Sequence, residues 1–174
     1  MAEADPLEIL RALEREDVSY VLIGAAAARI AGAPVVTEDV DVTPALHPAN
    51  LERLALALRE LGARLRTSTD PEGVPFPVDA EMLASADMWT LTTSAGDLDI
   101  HFMPAGTRGY DDLRRDASRE RLGRGLNVAV ASLRDVIRSK EAAGRDKDIA
   151  QLPLLRRTLE QIREHERNPP DLER

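Results

Sequence analysis

The stretch VSYVLIGAAAARIAGAPVVTEDVDVT, residues 18–43, predicts a strand, a glycine turn, a short helix and a second strand. The apolar run of residues 20–23 favours a strand and stops at Gly24, a residue that can turn the backbone sharply. Strong helix formers follow in residues 25–30. Because a helix begins with unpartnered N–H groups and the positive end of its dipole, the turn is a place for a phosphate group.

The second half of this stretch alternates acids with valines. Successive side chains of a strand point to opposite faces, so we expect Val40 and Val42 in the core and Asp39 and Asp41 together on the other face. Two neighbouring carboxylates repel each other unless a cation lies between them, and Mg²⁺ prefers such hard oxygen ligands. The same pattern also fits a solvated strand edge, and Gly24 could simply end a strand.

A third candidate acid lies in a predicted hairpin further along the chain. Residues 88–93 and 98–102 are expected to be its strands. The alternation of the second strand places Asp99 and His101 on the face away from its apolar residues. Asp97 shares that face but is nearer the turn, so we interpret it as a hairpin residue. His101 could approach a substrate, although a half-buried strand histidine with one hydrogen bond is the favoured interpretation.

The ordered combination of strand, glycine turn, helix and Thr-x-Asp-x-Asp resembles the nucleotidyltransferase fold of the DNA polymerase beta type. It resembles most the minimal AbiEii-like members of toxin–antitoxin systems. Residues 139–148 also look like the Ser-Lys-x-x-x-Gly-Arg-x-Lys-Asp segment of those proteins, which faces the nucleotide site in that family. This segment contains the only two lysines of the chain, Lys140 and Lys147. A solvated helix end remains an equal alternative for Lys147 and a weaker one for Lys140.

The resemblance covers roughly residues 18–155 and implies an α/β fold, with a mixed β-sheet, flanking helices and a C-terminal helical segment. It implies Mg²⁺ (or Mn²⁺) ions held by Asp39, Asp41 and Asp99, with Asp99 also accepting a proton from the attacking hydroxyl. The implied nucleotide-binding residues are Gly24, Ala25, Thr37 and Lys140. The implied reaction is attack on the α-phosphate of a nucleoside triphosphate with pyrophosphate leaving.

One departure from the family pattern affects the expected activity. The family commonly has Gly-Gly or Gly-Ser where this chain has Gly24-Ala25, so a hydroxyl is absent and a methyl group limits the backbone. Triphosphate binding could therefore be weakened. The rival hypothesis is a catalytically weak or inactive binding or regulatory protein, for example a toxin–antitoxin component that acts through contacts with a cognate partner.

The acceptor has no readable signature in the sequence. An RNA end, a protein hydroxyl and a small antibiotic-like alcohol are all open, and we expect the loop of residues 68–79 and the helical end to form the acceptor pocket. The net charge of −8, from 31 acids against 23 Lys plus Arg, argues against broad electrostatic binding to nucleic acid. The arginines of residues 114–124 alternate with acids and are interpreted as a mutually paired surface.

The length of 174 residues suits one domain, expected over residues 1–166 with a flexible tail over residues 167–174. The absence of cysteine excludes disulfides and thiolate metal sites. An acidic N-terminus without an apolar run, and no long apolar span, predict a cytoplasmic protein that does not enter a membrane. The other expected elements are helices over residues 6–16, 48–61, 109–117, 133–143 and 154–165, a helical turn over residues 146–151, and strands over residues 63–67 and 126–130.

Overall fold

A computed structural model describes residues 4–169, which form seven strands and seven helices. The strands are β1 (Tyr20–Ile23), β2 (Val40–Pro44), β3 (Arg64–Leu65), β4 (Met88–Thr93), β5 (Gly96–His101), β6 (Ser118–Arg121) and β7 (Asn127–Val130). The helices are α1 (Pro6–Arg15), α2 (Gly24–Ile30), α3 (Pro48–Glu60), α4 (Ala80–Ala84), α5 (Tyr110–Leu113), α6 (Leu133–Ala143) and α7 (Asp146–Arg167). None of these helices is long and apolar enough to cross a bilayer.

All seven strands belong to one mixed sheet in the order β3-β4-β5-β2-β1-β7-β6. The neighbours β1 and β2 are antiparallel, whereas β2 runs parallel to β5. This parallel pairing sets Asp41 opposite Asp99. The predicted mixed α/β fold with flanking and C-terminal helices is therefore confirmed, and its central strands bring together acids that are far apart in the sequence.

The central strands show the alternation of buried and more exposed side chains that their sequence predicts. Val40 and Val42 of β2 and Leu98 and Ile100 of β5 are at most 2% exposed. Their burial removes apolar surface from water, which is worth about 1.5–3 kcal/mol for each fully buried side chain of this size. Because these residues are fixed on one face, the intervening acids must lie on the other, which is the face that carries the site.

Local capping signals set the ends of two helices as the sequence predicts. At the start of α1, the side chain of Asp5 accepts a hydrogen bond from the N–H of Leu7 at 3.1 Å. At the start of α6, Ser132 Oγ accepts one from the N–H of Asp135, also at 3.1 Å. The helix α6 ends at Gly144, whose φ of 61° is the left-handed conformation that glycine adopts most readily.

Several short elements differ from the prediction. The strand β2 begins at Val40, so Asp39 lies in the bend before it rather than on the strand. The strand expected over residues 63–67 is reduced to β3, and the helix expected over residues 109–117 to α5, after which the unpredicted edge strand β6 begins. Edge strands and single-turn helices have few local signals, because a neighbour rather than their own sequence holds them in place.

The last helix begins earlier than predicted. The chain does not break at Pro153, and α7 continues through it from Asp146 to Arg167. Proline has no N–H to offer the carbonyl of Ile149 one turn earlier, so α7 lacks one backbone hydrogen bond at this point. The tail predicted from residue 167 overlaps the last residue of α7, and its residues 170–174 lie outside the described part of the chain.

Candidate active site

Two carboxylates and an imidazole meet on the face of the sheet opposite the buried valines. One ligand atom each from Asp41, Asp99 and His101 lies within 4.8 Å of the other two. His101 Nε2 is 3.6 Å from Asp41 Oδ1, and each of the three side chains is about a quarter exposed. The parallel register of β2 and β5 produces this group, because it sets Asp41 beside Asp99 and leaves His101 two residues further along the same face.

The glycine turn after β1 lies against Asp41. Gly24 has a φ of +65°, and a Cβ atom added there would lie 2.6 Å from Asp41 Oδ2. Both the backbone conformation and the close approach therefore require glycine. The consequence is that the Asp41 carboxylate lies directly against the start of α2.

Substitution of Gly24 by alanine is expected to be more harmful than the same change at Gly32. Both glycines have a positive φ, so each alanine would carry backbone strain of about 1–2 kcal/mol. Gly32 has no atom within 4 Å of an added Cβ, whereas Gly24→Ala must also displace Asp41. Thermal melts of both variants measure the difference. Equal losses of stability would show that Asp41 moves aside freely and that its position is not fixed by the turn.

An arginine bridges the two acids of β5. Arg66 Nη1 lies 3.2 Å from Asp97 Oδ2, and Arg66 Nη2 lies 3.3 Å from Asp99 Oδ1. Asp97 is thus not a turn residue but lies within β5, opposite Thr92 of β4. Arg66 gives the acid cluster one internal positive charge, which partly offsets the repulsion between the carboxylates.

The acids remain electrostatically crowded in spite of Arg66. Burial and then the charge of Asp41 raise the pKa of Asp99 above its ordinary value, although Arg66 and His101 act in the opposite direction. Partial burial of its carboxylate and then the charge of Asp97 also raise the pKa of Asp39, although that residue as a whole is exposed. The folded protein therefore disfavours the fully ionised cluster, which is the condition that a bound cation relieves.

Asp99→Asn is expected to raise the melting temperature at neutral pH in a chelator. A carboxyl whose pKa is higher in the folded than in the unfolded state destabilises the fold when ionised, and this penalty disappears as the pH falls through the folded pKa. The advantage of the variant over the wild type should therefore shrink on acidification. Glu52→Gln, which removes one exposed negative charge elsewhere, is the control for net charge. A variant less stable than the wild type at pH 7 would contradict this reading.

A cavity of about 290 Å³ opens beside the acid cluster, between the sheet and the start of α7. Its wall is mainly apolar, with Ile23, Met88 and Val136 among its residues. Its polar residues include Asp41 and His101 on one side and Ser139, Lys140, Arg145 and Asp148 on the other. The segment around Lys140 thus shares a space of small-molecule size with Asp41 and His101, whereas Asp99 does not line this cavity.

Lys140 and Arg145, two cations that line the cavity, are both paired with one buried carboxylate. Asp148 is 1% exposed, and its oxygens lie 3.0 Å from Lys140 Nζ and 2.6 Å from Arg145 Nε. Burial alone would raise the pKa of Asp148, but the hydrogen bonds and charges of Arg145 and Lys140 outweigh it and hold the pKa below its ordinary value. Lys140 and Arg145 are therefore oriented at the cavity by a fixed anion.

The other expected site residues lie further from the cavity. Thr37 donates a hydrogen bond from Oγ1 to the carbonyl oxygen of Asp39 at 3.1 Å, so it shapes the bend before β2. Ala25 is half-buried in α2 and does not line the cavity, and Asp39 lies outside the group formed by Asp41, Asp99 and His101. The loop of residues 68–79, expected to border the acceptor pocket, also contributes no residue to this cavity.

His101 is a residue of the site for which the sequence favours a structural role. Its signal was present, because the alternation of β5 puts it on the face of Asp99, but a lone strand histidine is usually structural. Arg145 belongs to the segment of residues 139–148, and it lines the cavity together with Lys140. The helix α6, which carries Lys140, packs against both α7 and α2, and these long-range contacts are not readable from the sequence.

The fold is similar to those of two solved structures. A crystal structure from Thermotoga maritima, TM1012, provisionally described as a nucleotidyltransferase, superposes with a TM-score of 0.54 at 17% identity and covers 89% of this chain and 90% of its own. The antibiotic-resistance factor ANT(2'')-Ia superposes with a TM-score of 0.52 at 16% identity, over 92% of this chain and 88% of its own. No protein-family model and no curated protein matches the sequence.

Proposed function

We propose that the protein is a metal-dependent nucleotidyltransferase that moves a nucleoside monophosphate from a nucleoside triphosphate to a hydroxyl group of an acceptor. The observation that carries this proposal is the meeting of Asp41 with Asp99, because Asp41 also lies against Gly24 and lines a cavity together with Lys140 and Arg145. Paired carboxylates, a glycine turn and two cations are the groups that a metal–triphosphate complex requires. The nucleotidyltransferase fold supports the same function.

Asp41 and Asp99 fit a hard divalent ion such as Mg²⁺ or Mn²⁺, because both carboxylates are near enough to share one cation. Asp39 is proposed as a further carboxylate on the strength of the Thr-x-Asp-x-Asp motif. The imidazole of His101 is a more typical ligand of transition metals, so we assign it to the support of Asp41. When bound, the ion would neutralise phosphate charge and stabilise the oxygens that enter and leave phosphorus.

The remaining groups bind and orient the substrates. The backbone N–H groups of Gly24 and Ala25 at the start of α2 would bind a phosphate beside Asp41, and Thr37 would hold the bend that carries Asp39. Lys140 and Arg145 would contact the phosphates from the opposite wall. Asp99 would accept the proton of the attacking hydroxyl, as the family resemblance implies.

A second candidate function is that of a binding or regulatory protein with weak or no catalysis. Three observations favour it: Gly24-Ala25 lacks the hydroxyl of Gly-Ser, Lys140 and Arg145 are already paired with Asp148, and Arg66 already contacts Asp99. The AbiEii-like subtype, a cognate toxin or antitoxin partner and a cytoplasmic location stay predictions from the sequence.

The experiment that separates the two functions is incubation of the protein with each labelled nucleoside triphosphate, Mg²⁺ and cell extract. Label in the RNA, protein or small-molecule fraction would identify the acceptor class, and it should be absent when Asp41→Asn replaces the wild type. Binding of nucleotide without any transfer would support the regulatory alternative. Absence of both binding and transfer would contradict the proposal.

A further inference from the structure

A second cavity, of about 440 Å³, lies at the far end of β2 from Gly24. The end of β2, the first turns of α3 and the segment from β5 to α5 enclose it, and it shares no lining residue with the cavity at the acids. Three arginines line it, Arg53, Arg108 and Arg114, against the single acid Asp111. This local excess of positive charge is opposite in sign to the chain's net charge of −8.

Arg53 lines this cavity and leaves part of its hydrogen-bonding capacity unused. Its Nε is buried and has no partner among the described residues. Its Nη2 reaches Asn50 Oδ1 only at 3.4 Å, and that oxygen already accepts a hydrogen bond from the N–H of Ser19 at 2.7 Å. Because Nε itself is buried, a ligand in the cavity would meet the guanidinium through Nη1 and Nη2, for which that long contact is the one hydrogen bond among the described residues.

The start of α3 adds a second favourable feature for an anion. This helix has 13 residues, its N-cap residue His47 makes no capping hydrogen bond through its side chain, and its first turn contains no acid. The partial positive charge of the helix start is therefore not offset by its own side chains. His47 and Arg53 both line the cavity, so the helix start and the guanidinium act on the same space.

We propose that this cavity binds a phosphate group of a ligand. Guanidinium groups match the oxygens of phosphate in a bidentate manner, and several converging donors suit its tetrahedral anion better than they suit a single carboxylate. The one acid that lines the cavity, Asp111, pairs only weakly with Arg114, because its side chain is 84% exposed and its Oδ1 lies 3.6 Å from Arg114 Nε. The phosphate could belong to a small monoester or to the backbone of a nucleic acid strand, and both present the same chemistry.

The test is calorimetric titration of the full chain in a chelator with four probes, namely inorganic phosphate, glycerol phosphate, a short oligothymidylate and acetate. The site variant is Arg53→Gln/Arg114→Gln. The matched control is Arg59→Gln/Arg115→Gln, which removes the same charge from α3 and from the end of α5 without touching the cavity. The chelator removes divalent metal, so the result does not depend on the proposed transferase activity.

The wild type should bind at least one phosphate probe saturably, and the site variant should bind it at least about tenfold more weakly while the control is unchanged. Preference for glycerol phosphate would indicate a small ligand, and preference for oligothymidylate a nucleic acid strand. No saturable binding by the wild type, equal losses in both double variants, or acetate bound as tightly as phosphate would each overturn the proposal.

Discussion

Asp41→Asn is expected to weaken Mg²⁺-dependent binding of nucleoside triphosphate by about 100-fold, or ~2.8 kcal/mol. A hard divalent ion needs anionic oxygens, and an amide in place of the Asp41 carboxylate leaves Asp99 as the only acid of the three-residue group. The measurement is calorimetric titration with each nucleoside triphosphate in Mg²⁺. It requires no knowledge of the acceptor.

Asp97→Asn is the matched control, because Asp97 lies on the same face of β5 and contacts the same Arg66 but is outside the group of ligand atoms. It should retain most of the binding, whereas Asp99→Asn should lose it. Asp39→Asn tests the motif: a loss of the same order as that of Asp41→Asn supports Asp39 as a ligand, and wild-type affinity removes it from the site. Unchanged affinity in both Asp41→Asn and Asp99→Asn would refute the assignment.

Asp148→Asn is expected to lower the stability of the whole protein. Removal of one partner from a buried ion pair typically costs about 3–5 kcal/mol, because the remaining charge stays buried without compensation. Lys140, whose side chain is only 14% exposed, would be that charge. For a domain of this size the loss corresponds to a decrease of roughly 6–20 °C in melting temperature.

The control for Asp148→Asn is Glu141→Gln, which breaks the pair between Glu141 and Arg156 on the exposed side of the helices. Both of those side chains are about half exposed, so that change should cost no more than about 1 kcal/mol. Because the pKa of Asp148 is lowered in the folded state, its contribution is present at neutral pH and is lost as the pH falls through the folded pKa. Similar melting temperatures for the two variants would show that Asp148 does not hold Lys140 and Arg145.

The parts of the fold that the sequence predicted are those with local signals. The bounds of β1 follow from its apolar run and the glycine after it, and α6 matches its prediction because Ser132 and Gly144 mark its ends. The elements that the sequence did not predict lack such local signals. The edge strands β3 and β6 are held by pairing with a neighbour, and the continuity of α7 through Pro153 depends on packing against α6.

The candidate site was predictable in its residue types but not in its grouping. Alternation in each strand indicated the face on which Asp41 and Asp99 lie. Only the parallel register of β2 with β5, a contact between residues 58 positions apart, places them opposite each other. The start of β2 at Val40 leaves Asp39 in a bend, and the inclusion of His101 follows from the same register.

The central claim is that Asp41 and Asp99 form a site for a divalent cation, and thermal melts of the wild type and Asp41→Asn, with and without Mg²⁺, test it most directly. An ion that binds only the folded protein should stabilise the wild type by ~2.7 kcal/mol at a hundred times its dissociation constant. The variant should gain far less from the same addition. If Mg²⁺ and Mn²⁺ shift neither protein, or shift both equally, the acids do not form a metal site and the account is wrong.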